Sequence, residues 1–66
     1  MTKIRALRIE NDLTAKTLAE QLKLDQSVLS FVERGKSKAS DRVRLKLCKF
    51  FGVAETELFN NERFAV

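Results

Sequence analysis

The segment TAKTLAEQLKLDQSVLSFVERGKSK, residues 14–38, decides the fold of this chain. Its spacing of apolar residues predicts two short helices, Thr14–Leu22 and Asp25–Arg34, because residues three and four apart share one helical face. The inward-facing residues are Leu18, Ala19 and Leu22 in the first helix, and Leu29 and Val32 in the second. Only Lys23 and Leu24 separate the helices, so the two must pack against each other at a steep angle.

The outward face of the second helix carries the polar residues Gln26, Ser27 and Ser30 and the apolar residues Val28 and Phe31. Amide and hydroxyl groups hydrogen-bond base edges in the major groove, and apolar side chains contact thymine methyl groups there. A helix pair with this face therefore predicts binding to double-stranded DNA. Two alternatives remain for Phe31: it folds over the following loop onto the core, or it marks a protein-binding surface.

Basic residues are concentrated directly after the second helix. The net charge of the 66 residues is only +4, yet the segment Arg34–Lys49 holds seven basic residues and one acid. Such a band beside the outward helix predicts phosphate contacts, although a solvated helix face has the same composition. The predicted contacts are Lys36, Ser37, Lys38 and Arg42, together with Thr14, Ala15 and Lys16, where the first backbone N–H groups of a helix can meet a phosphate.

The rest of the sequence predicts three further helices and no strand. Thr2 caps a helix that runs to about Asn11, Ser40 caps a helix from Asp41 to Phe51 that Gly52 ends, and a short helix runs from about Ala54 to Phe59. The predicted fold is therefore all-α, a compact bundle of five helices. Residues 1–59 form one domain, and residues 60–66 form a C-terminal tail.

The order of these pieces also carries a family resemblance. IRALR, LTAKTLAEQLKLDQSVLSFVERGK and LKLCKFFGVAETELF, within residues 4–59, resemble the Cro/cI-type helix-turn-helix domain of phage repressors and bacterial XRE-like regulators. The resemblance implies a lambda-repressor-like bundle in which Gln26 reads adenine, and a Cro-like repressor that occupies a palindromic operator as a homodimer. A restriction–modification controller, an antitoxin-type autorepressor and a protein-interaction domain on the same scaffold are the alternatives.

Several positions depart from the family pattern, among them Val28 and Phe31, where polar residues are common, and Ala39, which occupies the usual proline position and leaves the loop softer. Lys23 stands where the family usually has glycine, and a positive φ there costs on the order of 1 kcal/mol. Asp25 replaces the commoner serine or threonine cap, and its charge repels a nearby phosphate. Ala15 stands where the family often has glutamine, which removes a side-chain contact.

Glu33 is predicted to form a structural ion pair with Arg8.

Several apolar residues lie outside the predicted core. Phe50, Phe59, Phe64 and Val66 are predicted to form a dimer contact between two copies of the chain. The alternative is a tail that folds over its own core.

Composition argues against other classes of function. The chain has no His, and Cys48 is its only cysteine, so neither a zinc site nor a disulfide framework is expected. Without a catalytic constellation or a glycine-rich phosphate loop, we expect no enzyme activity, cofactor or small-molecule substrate. The charged N-terminus resembles neither a signal peptide nor a membrane span, and a lone cysteine fits a cytoplasmic protein.

Overall fold

The computed structural model describes all residues from Met1 to Val66. It contains five helices: α1 (Lys3–Glu10), α2 (Ala15–Leu22), α3 (Gln26–Glu33), α4 (Asp41–Phe51) and α5 (Glu55–Leu58). The only extended pairing is an isolated antiparallel bridge between Phe59 and Ala65. The predicted all-α bundle of five helices is therefore confirmed. None of the five helices has the length and apolar content that crossing a membrane requires.

Polar caps set the start of the first four helices, as the sequence predicts. The side-chain oxygens of Thr2, Thr14, Asp25 and Ser40 each accept a hydrogen bond from a backbone N–H in the first turn that follows. These N–H groups have no partner within the helix, so each cap stabilises its helix by about 1 kcal/mol. The caps consequently determine where each helix begins.

The turn between α2 and α3 uses the left-handed conformation. Lys23 has φ 56° and ψ 44°, which is the strained geometry expected from the absence of glycine. The Leu24 N–H donates to the carbonyl of Ala19 at 2.9 Å, and the Lys46 ammonium of α4 donates to the carbonyl of Leu22 at 2.6 Å. Lys46, part of the basic band in the sequence, therefore serves to complete the end of α2.

The core lies where the five helices meet. Its eleven buried apolar residues are Ile4, Leu18, Ala19, Leu22, Leu29, Val32, Ala39, Val43, Leu47, Leu58 and Phe59. All inward-facing residues predicted for α2 and α3 are among them. Phe59 corrects one prediction: it is only 4% exposed within a single chain, so it is a core residue and is not available for a dimer contact.

Two charged residues are buried with this core. Glu33 pairs with Arg8 at 2.8 Å, as predicted from the sequence. Arg44 is 8% exposed, and its guanidinium donates to the carbonyl of Ala39 and to the carboxylates of Asp41 and Glu55. Arg44 belongs to the basic band in the sequence, but these partners and its burial remove it from the surface charge.

The tail is hydrogen-bonded to its own chain. The Val66 N–H donates to the carbonyl of Leu58 at 3.0 Å, and the Val66 carbonyl accepts from the Lys3 N–H at 2.8 Å. Farther back, the carbonyl of Arg63 accepts from the Ala39 N–H at 2.9 Å. Residues 60–66 therefore connect the end of α5 with the start of α1 and with the segment before α4.

Candidate nucleic-acid interface

The packing of α2 on α3 leaves one face of α3 in solvent. Leu29 and Val32 point into the core and are almost completely buried. On the opposite side Gln26 and Ser27 are exposed and Ser30 is half-buried. All three polar residues predicted to contact bases therefore share an accessible face of one helix.

Val28 and Phe31 also lie on the accessible side of α3. Each is 47% exposed, which is high for an apolar side chain. The interpretation that Phe31 folds onto the core is therefore excluded. Of the two, only Phe31 lines the shallow groove that runs along α3, which is formed by Gln26, Ser27, Ser30, Phe31 and Arg34.

Arg34 is a member of this face that the sequence analysis did not select. Its guanidinium carbon lies 5.1 Å from the centroid of the Phe31 ring, within cation–π range. The Arg34 Nε–H also donates to the carbonyl of Ser30 at 3.3 Å. The spacing of Phe31 and Arg34 at i and i+3 is the signal in the sequence that predicts this contact.

Asp25 places a negative charge at the start of the same helix. One carboxylate oxygen accepts hydrogen bonds from the N–H groups of Ser27 and Val28, at 2.8 and 3.3 Å. The charge suits the positive end of the α3 dipole. Because Asp25 is exposed, the same charge would repel a phosphate brought close to this end of α3.

The start of α2 contributes backbone donors. The Thr14 hydroxyl accepts from the Thr17 N–H at 3.0 Å and lies 2.9 Å from the Thr17 hydroxyl oxygen. The N–H groups of Ala15 and Lys16 belong to the first turn, where a helix offers no acceptor. Lys16 is exposed and adds a positive charge beside them. These features fit a phosphate better than a base.

The loop between α3 and α4, together with the first turn of α4, supplies a second set of charges. Lys36, Ser37, Lys38 and Arg42 are all exposed, and none of the three basic residues forms an ion pair. The loop itself is anchored, because the Lys36 N–H donates to the carbonyl of Phe31 at 2.9 Å. The Lys38 ammonium lies 6.0 Å from the Phe64 ring centroid. Unpaired cations on an anchored loop are well suited to binding phosphates.

No group of three or more carboxylate and cysteine side chains is placed to hold a metal ion. Burial, and then the negative charge of Glu55, raises the pKa of the Cys48 thiol. A thiol with a raised pKa is largely protonated at neutral pH and is a poor nucleophile. Cys48 therefore fits a packing role between α4 and α5.

The predicted dimer residues lie in different surroundings. Phe50 packs edge-to-face on Phe51 with the ring centroids 5.1 Å apart, whereas Phe64 lies under Lys38. Val66 is 45% exposed beside the start of α1. Phe50, Phe64 and Val66 all keep some exposed apolar surface, and their contact with a second copy stays a prediction.

Comparison with known proteins identifies the fold family. The sequence pattern of the helix-turn-helix family matches residues 4–58, from the second residue of α1 to the end of α5. No curated protein and no solved structure matches the chain significantly. The matched family consists of regulators that bind double-stranded DNA and are typically not enzymes. The chain belongs to this family, and it is a DNA-binding transcriptional regulator of the XRE helix-turn-helix type.

Proposed function

We propose that this protein is a Cro-like repressor that binds a palindromic operator as a homodimer and acts by occupying it. The observation that carries the proposal is the accessible face of α3, in a chain that also offers free N–H groups at the start of α2 and unpaired cations in the segment that follows α3. Occupancy of an operator by such a domain excludes polymerase or a competing repressor from the same DNA.

In this proposal α3 is the recognition helix and lies in the major groove. The base contacts come from Gln26, Ser27, Val28, Ser30 and Phe31. Gln26 has the most specific role, because its amide donates to adenine N7 and accepts from adenine N6. Its position at the exposed first residue of α3 supports this role, since the first turn of a recognition helix approaches the bases most closely.

The phosphate contacts of the proposal flank the recognition helix. They comprise Thr14, Ala15 and Lys16 at the start of α2, and Lys36, Ser37, Lys38 and Arg42 on the other side. Each neutralised phosphate releases counterions, so log K falls with log salt at a slope of about −0.9 per contact. A half-site that engages about five phosphates would therefore lose affinity steeply between low and physiological salt.

Two copies are needed to read a palindrome, and their half-sites lie about one helical turn apart. The proposed contact surface consists of the exposed side chains of Phe50 and Val66 and the half-buried side chain of Phe64. A cytoplasmic location follows from the proposed role.

The proposal is tested by selecting sites from a randomised duplex pool and titrating the selected duplex by fluorescence anisotropy at two salt concentrations. Gln26→Ala should relax one base position by about 1–3 kcal/mol, because it removes a bidentate contact. Lys38→Ala should weaken all sequences alike and reduce the salt slope by about one contact. Lys3→Ala is the matched control. It removes the same positive charge from a different part of the surface, since Lys3 lies beside Glu57 and Leu58 of α5.

Two outcomes of this experiment would contradict operator recognition by α3. If the wild type enriches no site and its binding disappears at physiological salt, operator recognition fails. The exposed Val28 and Phe31 would then favour the second candidate, a protein-interaction domain on the same scaffold. An equal loss of affinity in Lys3→Ala and Lys38→Ala would instead mean that binding depends on total charge alone.

A further inference from the structure

We infer that Phe31 and Arg34 act as one base-reading unit for a thymine–guanine step. Phe31 would contact the thymine methyl group, and Arg34 would donate two hydrogen bonds to O6 and N7 of the neighbouring guanine. The inference rests on the proposed function, because it requires α3 to lie in the major groove. It adds Arg34 to the base-reading residues and couples it to Phe31.

The Arg34 side chain is held at one end and free at the other. Its guanidinium lies over the Phe31 ring at 5.1 Å, and its Nε–H is bound to the carbonyl of Ser30. Its two terminal amino groups donate no hydrogen bond within the protein, and no carboxylate oxygen lies within ion-pair distance. A guanidinium that is anchored at one end and free at the other loses little further freedom when it binds.

Arg34 lines the same groove as the side chains proposed to face the bases. Among them are Gln26, Ser27 and Ser30. An arginine on the edge of that groove reaches the same bases. Guanine is the base that matches a guanidinium, because its major-groove edge carries two acceptors and no donor.

Phe31 contributes the apolar surface of the pair. The residue is 47% exposed although the Arg34 guanidinium lies over its ring, and Phe31 lines the groove, so it presents apolar surface there. The thymine methyl group is the apolar feature of the major groove. Successive bases on a strand are about 3.4 Å apart, so a ring and a guanidinium separated by 5.1 Å serve neighbouring bases.

The experiment compares operators selected by the wild type, Phe31→Leu, Phe31→Ala and Arg34→Lys. Arg34→Lys should lower the preference for guanine at one position about tenfold, because an ammonium cannot make the bidentate contact. Phe31→Leu should keep the thymine preference and lose part of the guanine preference, since it keeps apolar surface without a ring for the guanidinium. The double variant Phe31→Leu/Arg34→Lys should be no worse at guanine than Arg34→Lys alone.

A change in the DNA tests Phe31 separately. Replacing the thymine by deoxyuridine removes only the methyl group and should weaken wild-type binding about fourfold. The same replacement should leave binding by Phe31→Ala unchanged. Arg5→Lys, at an exposed arginine of α1, is the matched control for Arg34→Lys. Each readout is the ratio of one variant's affinities for two duplexes. A small loss of folded protein lowers both affinities equally and does not change this ratio.

The outcomes are distinct. If Arg34→Lys weakens all duplexes alike, Arg34 is a phosphate contact and the inference is wrong. It is also wrong if the wild type selects an operator in which no thymine and guanine are adjacent at the positions that these variants change. In both cases the proposed function survives. If the wild type enriches no operator, the proposed function and the inference fail together.

Discussion

Glu33 shows how one residue stabilises several elements at once. It is 4% exposed, and Arg8 donates three hydrogen bonds of 2.8–3.1 Å to its carboxylate. Arg8 also donates to the carbonyl of Leu13 at 2.8 Å, so the pair ties α1 to α3 and to the α1–α2 turn. A buried pair of this kind matters chiefly because removal of one partner leaves the other without compensation.

Glu33→Gln should therefore lower the free energy of unfolding by about 3 kcal/mol, measured by urea denaturation. Glu55→Gln is the matched control, because Glu55 also pairs with an arginine but its side chain is 59% exposed. Its removal leaves Arg44 bonded to Asp41 and to the Ala39 carbonyl, so the cost should stay below about 1 kcal/mol. Equal losses in the two variants would contradict the structural role assigned to Glu33.

At the scale of the element, Asp25 has opposite effects on α3. Its carboxylate caps the helix through the N–H groups of Ser27 and Val28 and stabilises it by about 1 kcal/mol. If α3 lies in the major groove, the same exposed charge stands close to the DNA backbone. The carboxylate that stabilises α3 should therefore weaken the binding of DNA.

Asp25→Asn should separate the two effects. Asparagine caps a helix about as well as aspartate, so the thermal unfolding midpoint should change by only a few degrees. Removal of the negative charge should raise DNA affinity several-fold at low salt, and the gain should shrink as salt screens the repulsion. Asp25→Ala is the control that loses both cap and charge. An Asn variant whose affinity equals that of the wild type at low salt would show that Asp25 lies far from any phosphate.

In the whole molecule, the tail (residues 60–66) contributes to the stability of the fold and also supports a loop proposed to contact DNA. Residues 60–66 accept hydrogen bonds from the backbone of Lys3 and Ala39, and a side-chain oxygen of Asn60 accepts from the N–H groups of Glu62 and Phe64. The Ala65 carbonyl also lies against Gly35, at 3.4 Å from the position of an added Cβ. The tail therefore supports the loop that carries Lys36 and Lys38.

Deletion of residues 62–66 should lower the free energy of unfolding by about 2 kcal/mol or more, because it removes the carbonyl acceptors of Arg63 and Val66 and exposes part of the core. Phe50→Glu is the companion variant, since it places a charge on the proposed dimer surface without changing the tail. It should reduce the mass found by sedimentation equilibrium and leave the stability of the single chain nearly unchanged. Melting at several protein concentrations distinguishes the two effects, because only stability linked to association depends on concentration. A deletion variant as stable as the full chain would contradict the supporting role of the tail.

Much of the fold was predictable because its signals are local. The caps at Thr2, Thr14, Asp25 and Ser40 depend on one side chain and the first turn that follows it. The inward faces of α2 and α3 follow from helical periodicity alone. The pairing of Glu33 with Arg8 was also predicted, but from the family pattern, since the two residues are 25 positions apart.

Local sequence patterns predicted the five helices, the residues near which they begin, and the polar and apolar residues on the face of α3 that points away from the core. Contacts between distant segments determine which charges remain free. Arg44 is buried beside its acidic partners and Lys46 donates to the last carbonyl of α2, while Lys36, Lys38 and Arg42 stay unpaired. Such contacts also determine that Phe59 lies inside and that the tail packs on its own chain. The physical reason is that caps and periodicity act within one or two turns, whereas burial and ion pairing depend on which distant segments meet.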